Sequence, residues 1–347
     1  MDRFKRRGMG PPPSAWTAPR PDPGSRRIGP SSKRLSHSIQ ELNMFKTTLS
    51  VAFATALAGI AVTSAASAAV PTGPYAIFKY CPYNNPQVGA CVVNTTTSGT
   101  LAMGATTLPI TQPIVLQGGV IDTGPSPLYD AVGAATLSAP AAKVPGGLLG
   151  ITNPLPEWPL PLWVAFWNIV GTVNDVTATM EPVDTIQTNF GNALFPPDDG
   201  SDPTAATLKV RVRLQNPFLG NSCYIGSAQN PITIKLQTGT TQPPLPNLPI
   251  SGNPGSYDFE TTDPDNGYSV LHISDNTLVD NSFAVPAAKG CGNIALGLPI
   301  ITQLLDTLVS GAVNLKVGLP SASGKNTAIM SGKSAIAGTP SVLSSVQ

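Results

Sequence analysis

The sequence predicts a mainly β protein, an antiparallel β-sandwich-like domain with a short C-terminal amphipathic helix. Three observations predict it. Residues 207–216, TLKVRVRLQN, place Leu208, Val210, Val212 and Leu214 on one face and Lys209, Arg211 and Arg213 on the other, the period of a strand with one buried and one wet face. Gly (33) and Pro (37) are plentiful while charged residues make up 11% of the 347, a composition that favours short strands and turns over long helices. Beyond Pro299, Ile300, Ile301, Leu304, Leu305, Leu308 and Val309 fall on one helical stripe, opened by the proline and expected to close at Gly311.

Composition divides the chain before any element is placed. Residues 1–43 hold nine Lys or Arg against three acidic residues, with Pro11, Pro12 and Pro13 in a row. Such a stretch cannot bury enough apolar area to offset its ordering entropy, so a disordered basic extension is expected. From Met44 the chain reads MFKTTLSVAFATALAGIAVTSAASAAV, with Lys46, an apolar run at 49–62 and then Ala66, Ser67 and Ala68. That is the layout of a secretory signal over residues 44–69, cleaved near Ala69, and it makes Met44 the expected start. The domain proper is then 70–347, with the acidic, Pro-containing loop at 196–206 as the candidate boundary between two subdomains.

Counted over residues 69–347, ten Lys or Arg face sixteen Asp or Glu, a formal charge of −6. A mildly acidic chain has no electrostatic reason to hold nucleic acid, which is excluded as a partner. All four cysteines, Cys81, Cys91, Cys223 and Cys291, lie in this part, and an even number in an exported chain argues for two disulfides. Three pairings are possible. The nearest-neighbour one, Cys81–Cys91 and Cys223–Cys291, is expected, because Pro82, Asn84, Asn85, Pro86 and Gly89 make a turn-rich loop between the first two. The spacings are not those of zinc knuckles, and no cofactor is expected.

Taken in order, AIFKY (76–80), ACVVNTT (90–96), GTLAMG (99–104) and TTLPITQPIVLQGGVI (106–121) read as strands, with Pro109 and Pro113 marking an edge or a bulge. Asn94-Thr95-Thr96 matches a glycosylation sequon, which a polar strand end explains equally well. Residues 144–173 are the most apolar stretch and carry Trp158, Trp163 and Trp167. Pro154, Pro156, Pro159 and Pro161 forbid a long helix before Leu162, and there is no basic face, so this segment is expected to pack inside the protein; a lipid-facing role is the alternative. VTATMEPV (176–183), ITIKLQT (232–238) and YSVLHIS (268–274) complete the strands, the last preceded by a hairpin-type turn at Asn266-Gly267.

The segments NPFLGNSCYIGS at 216–227, VDNSFAVPAAKGCG at 279–292, AVNLKVGLPSASGKNTA at 312–328 and FKYCPYNNPQVGACVVN at 78–94 resemble a family of uncharacterised exported proteins of actinomycetes. The resemblance implies export and a shared scaffold with paired cysteines, and it brings no activity or catalytic residue.

Catalytic signals are few. His272 is the single His after residue 43, with Ser274 and Asp275 beside it, but two residues along a strand lie too far apart for a dependable nucleophile–base contact. No Gly-x-Ser-x-Gly elbow is present. Gly332-Lys333-Ser334 resembles the tail of a phosphate loop, yet Thr327 stands where its first Gly belongs. Asp198, Asp199 and Asp202 could hold an extracellular cation, although acidic loops are ordinary, whereas Asp263, Asp265 and Asn266 fail the EF-hand pattern because Gly267 stands at its fifth position. The expectation is therefore an exported, non-catalytic envelope or extracellular protein, structural or binding. A secreted hydrolase or lipid-handling protein is the alternative, and the partner classes in view are a cell-envelope component or a lipid. An acidic pocket would favour the enzyme, an apolar surface the binder.

Overall fold

The computed structural model describes residues 70–123, 128–130, 136–148, 174–292 and 299–347. The basic extension 1–43, the signal segment 44–69 and Trp158, Trp163 and Trp167 lie outside these residues. The chain opens with a 3-10 helix, Gly73–Phe78, where AIFKY reads as a strand. The correction has a simple cause: Pro74 sits in the first turn, and Tyr75 and Phe78, three apart, are the residues that go inside, so the period is that of a 3-10 turn.

Strands follow as β1 (Val88–Met103), β2 (Thr106–Pro109), β3 (Ile114–Ile121), β4 (Leu128–Asp130), β5 (Leu137–Ser138), β6 (Ala142–Lys143), β7 (Thr177–Pro182) and β8 (Gln187–Thr188). A one-turn helix α1 (Phe190–Leu194), capped by the Asn189 side chain on the Asn192 N–H, leads to β9 (Ala206–Gln215). Then come β10 (Tyr224–Ile225), β11 (Ile232–Leu236), β12 (Ser256–Asp263), β13 (Tyr268–Asp280), β14 (Ala288–Lys289), helix α2 (Pro299–Val317), β15 (Thr327–Gly338) and helix α3 (Thr339–Ser344).

All ladders are antiparallel, in the order β12-β13-β15-β1-β3-β4-β8-β9-β10-β14, with β7 and β11 also on β9. The front layer, β12 to β3, and the back layer around β9 enclose one core. Val92, Leu101 and Met330 from the front share it with Leu208, Val210, Val212 and Leu214 from β9. The layers join at one margin through β4 and β8. At the other, Gln237 and Val279 exchange N–H···O bonds of 3.0 and 2.8 Å. A cavity of about 70 Å³ remains between the layers. Into it point Asn94, whose amide donates to Ser334 Oγ at 2.7 Å, and Asn276, which donates to the same hydroxyl at 3.2 Å. The sequon asparagine is thus a partly buried core residue.

The front layer is buried on its outer face as well. There Tyr75, Phe78, Cys91, Val270, Ala335, Ala337 and Val342 form a second cluster under the 3-10 helix and α3. Ends meet at this face: the Val70 N–H donates to the Gln347 carbonyl, and Thr72 bonds Ser345 through both N–H and Oγ1. Residues Ala65–Gln347 form one compact unit. Within it the loop 196–205 folds back on α1, since the Asn192 amide donates to the Asp202 and Thr204 carbonyls at 2.8 and 3.0 Å.

Helix α2 runs past Gly311 to Val317. Gly311 has nothing within 4 Å of where a Cβ would stand, and continuing the helix buries Val313 and packs Val317 on the core. The stop comes at Gly318, whose φ of +74° is the left-handed conformation that ends helices at little cost for glycine.

Candidate functional site

The anchoring of α2 creates an apolar concavity on the back layer. Along one side the helix is bolted down. Ser310 Oγ accepts the Cys291 N–H at 3.1 Å and donates to Asp306 at 2.8 Å. Asn314 imitates a strand partner for β14, accepting the Ala288 N–H at 2.7 Å and donating to the Ala288 carbonyl at 3.1 Å. The Val317 carbonyl takes the Ala105 N–H at 2.7 Å. Behind these contacts the Cys223–Cys291 disulfide joins the residue just before β10 to the segment before the helix, and the Gly292 N–H donates to the Leu219 carbonyl at 2.8 Å. Gly292 has to be glycine: φ is +83°, and a Cβ would lie 2.7 Å from Val309 Cγ2, so the helix approaches bare backbone.

The other side of α2 overhangs the sheet. Beneath it lies a cleft of about 430 Å³, within the range of small-molecule sites. Leu308, Val309, Ala312, Val313 and Val317 form its roof. Val176, just before β7, and Leu214 of β9 line it from below, with Phe218, Leu219 and the turn holding Val144, Gly147 and Leu148 around them. That turn is fixed by Val144 N–H to the Val176 carbonyl (2.9 Å) and Leu148 N–H to the Asn174 carbonyl (2.8 Å). Rim residues stay wet, with Leu308 61% and Phe218 48% exposed. Only Thr106 and Lys316 among the described lining residues carry polar side chains. Lys316 makes no ion pair among the described residues. Chemically this arrangement can take up an apolar group.

The expected disulfides are both present, Cys81–Cys91 and Cys223–Cys291. They sit at the two faces of the structure, Cys81 and Cys91 in the outer cluster and Cys223 and Cys291 in the main core. His272 pairs on the surface with Glu260: Nε2 is 3.0 Å from Glu260 Oε2, with both side chains exposed. Ser274 stands beside the bulge at Asp275, whose φ is +56°. Gly332, Lys333 and Ser334 belong to the extended β15 and form no phosphate loop.

Each acidic loop satisfies itself. Asp199 accepts the Ser201 N–H at 3.0 Å, and Asp202 accepts the Thr204 N–H and hydroxyl at 3.0 and 2.6 Å. Asp263 takes the N–H of Asp265 and of Asn266 and the Asn266 amide. The side-chain donors Ser201, Thr204 and Asn266 hold these carboxyls below the usual range. Among the described residues no group of three His, Cys, Asp or Glu is placed to bind a metal. On β9 two of the three basic residues are paired, Lys209 with Asp184 at 2.6 Å and Arg211 with Glu181 at 2.7 Å, while Arg213 Nε is buried without a hydrogen-bond partner among the described residues. A second, open concavity of about 450 Å³ lies over α1 and β9, but Asn189, Asn192, Asp202 and Lys209 in its wall are all bonded within the chain.

The cleft walls were not visible as a site in the sequence, because ending the helix at Gly311 removes Ala312, Val313, Lys316 and Val317. The signal that finds them is the continued spacing Val309, Val313, Val317 followed by Gly318. Comparison with protein-family models, with curated proteins and with solved structures returns no match for this chain.

Proposed function

We propose that this chain is an exported, non-catalytic binding protein, and that the cleft under α2 is where it holds an apolar ligand. The observation that carries this reading is the cleft itself, about 430 Å³, whose described lining is almost wholly aliphatic and aromatic and which the Ser310, Asn314 and disulfide anchors keep open. Preformed apolar clefts of this size are the usual form of a site that binds a small molecule. The signal layout at 44–69 supports export, and two formed disulfides fit an oxidising environment. No helix among the described residues is long and apolar enough to cross a membrane.

The test is a titration of the disulfide-bonded chain with the neutral dye N-phenyl-1-naphthylamine, whose emission rises in apolar surroundings. Saturable binding is expected, lost in Ala312→Trp, where the indole occupies the cleft from an exposed helix position. Circular dichroism shows whether that variant keeps its fold. No saturable binding by the wild type, or equal binding by a folded Ala312→Trp, contradicts the assignment.

A further inference from the structure

We infer that the ligand of the cleft is an anionic amphiphile with a single apolar chain, its chain under α2 and its head at Lys316; this rests on the cleft being a binding site. The polarity of the cleft is arranged end to end. Leu308 and Val309 stand about two turns before Lys316, and the two polar lining residues, Thr106 and Lys316, come together at the C-terminal end of α2. The bond from the Ala105 N–H to the Val317 carbonyl ties the start of β2 to that end of the helix. A ligand that fits has one long apolar portion, with no polar group to satisfy along Leu214, Leu219 and Val313, and one polar terminus.

The sign of that terminus follows from the charges present. Lys316 is exposed at the cleft, is the single charged residue among the described lining, and makes no ion pair within the described chain. The helix dipole opposes it, with roughly half a negative charge at a C-terminus. Two of the carbonyls responsible are already occupied, Asn314 by the Leu319 N–H at 2.8 Å and Val317 by the Ala105 N–H, so the ammonium sets the local sign. The formal charge of −6 over residues 69–347 gives no long-range attraction for an anion. Selectivity therefore resides in this one contact.

Dye displacement at low ionic strength by dodecanoate, dodecanol and dodecyltrimethylammonium, each below its aggregation limit, tests the inference. Dodecanoate is expected to bind about fivefold tighter than dodecanol, the scale of one exposed ion pair, and the ammonium weakest. Lys316→Arg keeps that order, and Lys316→Glu reverses it. Equal affinity for dodecanoate and dodecanol, an order unmoved by Lys316→Glu, or failure of all three to displace bound dye overturns the anionic-amphiphile inference and leaves the apolar cleft standing. Failure of the dye to bind the wild type removes both.

Discussion

Asp280 shows how single polar residues hold the two layers in register. It is 2% exposed and accepts the Lys235 N–H at 2.7 Å, the Ser282 N–H at 2.8 Å and the Ser282 hydroxyl at 2.7 Å. Asp280→Ala takes the partner from the Lys235 and Ser282 N–H groups in bonds that are part-buried, and a loss of about 2 kcal/mol is expected in a denaturant titration. Phe259 is a contrasting case. Its neighbours on the same face, Leu271 on β13 and then Ile336 on β15, turn toward the core, but β12 extends past the back layer and leaves Tyr257 56% and Phe259 58% exposed. Phe259→Thr should change stability by no more than about 0.5 kcal/mol.

Surface carboxylates set the acid limit. Hydrogen bonding and charge from Lys209 hold Asp184 below its ordinary value of 3.8, as the Ser201, Thr204 and Asn266 side chains do for Asp199, Asp202 and Asp263. A carboxyl with a depressed folded value stabilises fully above its unfolded value, and that contribution disappears as pH falls through the folded one. Melting temperature should therefore decline as pH drops below 3.8 through these groups, and Asp184→Asn should make that decline shallower. A decline unchanged by Asp184→Asn contradicts the assignment to that pair.

At the scale of elements, α2 gives the sharpest test of where structure departs from a sequence reading. Gly311 lies inside the helix with open space around it, so Gly311→Ala should stabilise by roughly 0.5–1 kcal/mol. At Gly318 the φ of +74° and a Cβ position 3.1 Å from the Ala105 nitrogen make the same change destabilising. Thermal melts of the two variants should move in opposite directions. Strand β9 is legible from sequence because its two faces meet different surroundings and the side chains alternate accordingly. Strand β15 is not, although it sits at the centre of the front layer: both of its faces are covered, and Ala328, Ala335 and Ala337 are small where other residues pack closely over them. Such a strand shows neither alternation nor β-branched enrichment. The cleft was illegible for a different reason, since its walls come from residues 106 to 317 and only the tertiary fold brings them together.

On the scale of the whole molecule, two covalent ties bind distant parts. Cys81–Cys91 closes a separation of 10 residues at the outer face, whereas Cys223–Cys291 closes 68 and fixes the segment from which α2 starts. In the chain-entropy account these stabilise by about 3 and about 4 kcal/mol. Cys223→Ser should lower the melting temperature more than Cys81→Ser, and it should also weaken dye binding because the anchor beside Gly292 is lost. Equal melting shifts with unaltered binding contradict this role for the bridge.

The central claim is that the cleft under α2 is the binding site. Hydrogen exchange followed by mass spectrometry, with and without saturating dodecanol, tests it most directly because it reads every peptide at once. The account predicts added protection in residues 305–317, 144–148 and 214–219, with no change over 256–263. Protection confined to 256–263, around Tyr257 and Phe259, or none over 305–317 at saturation, contradicts it.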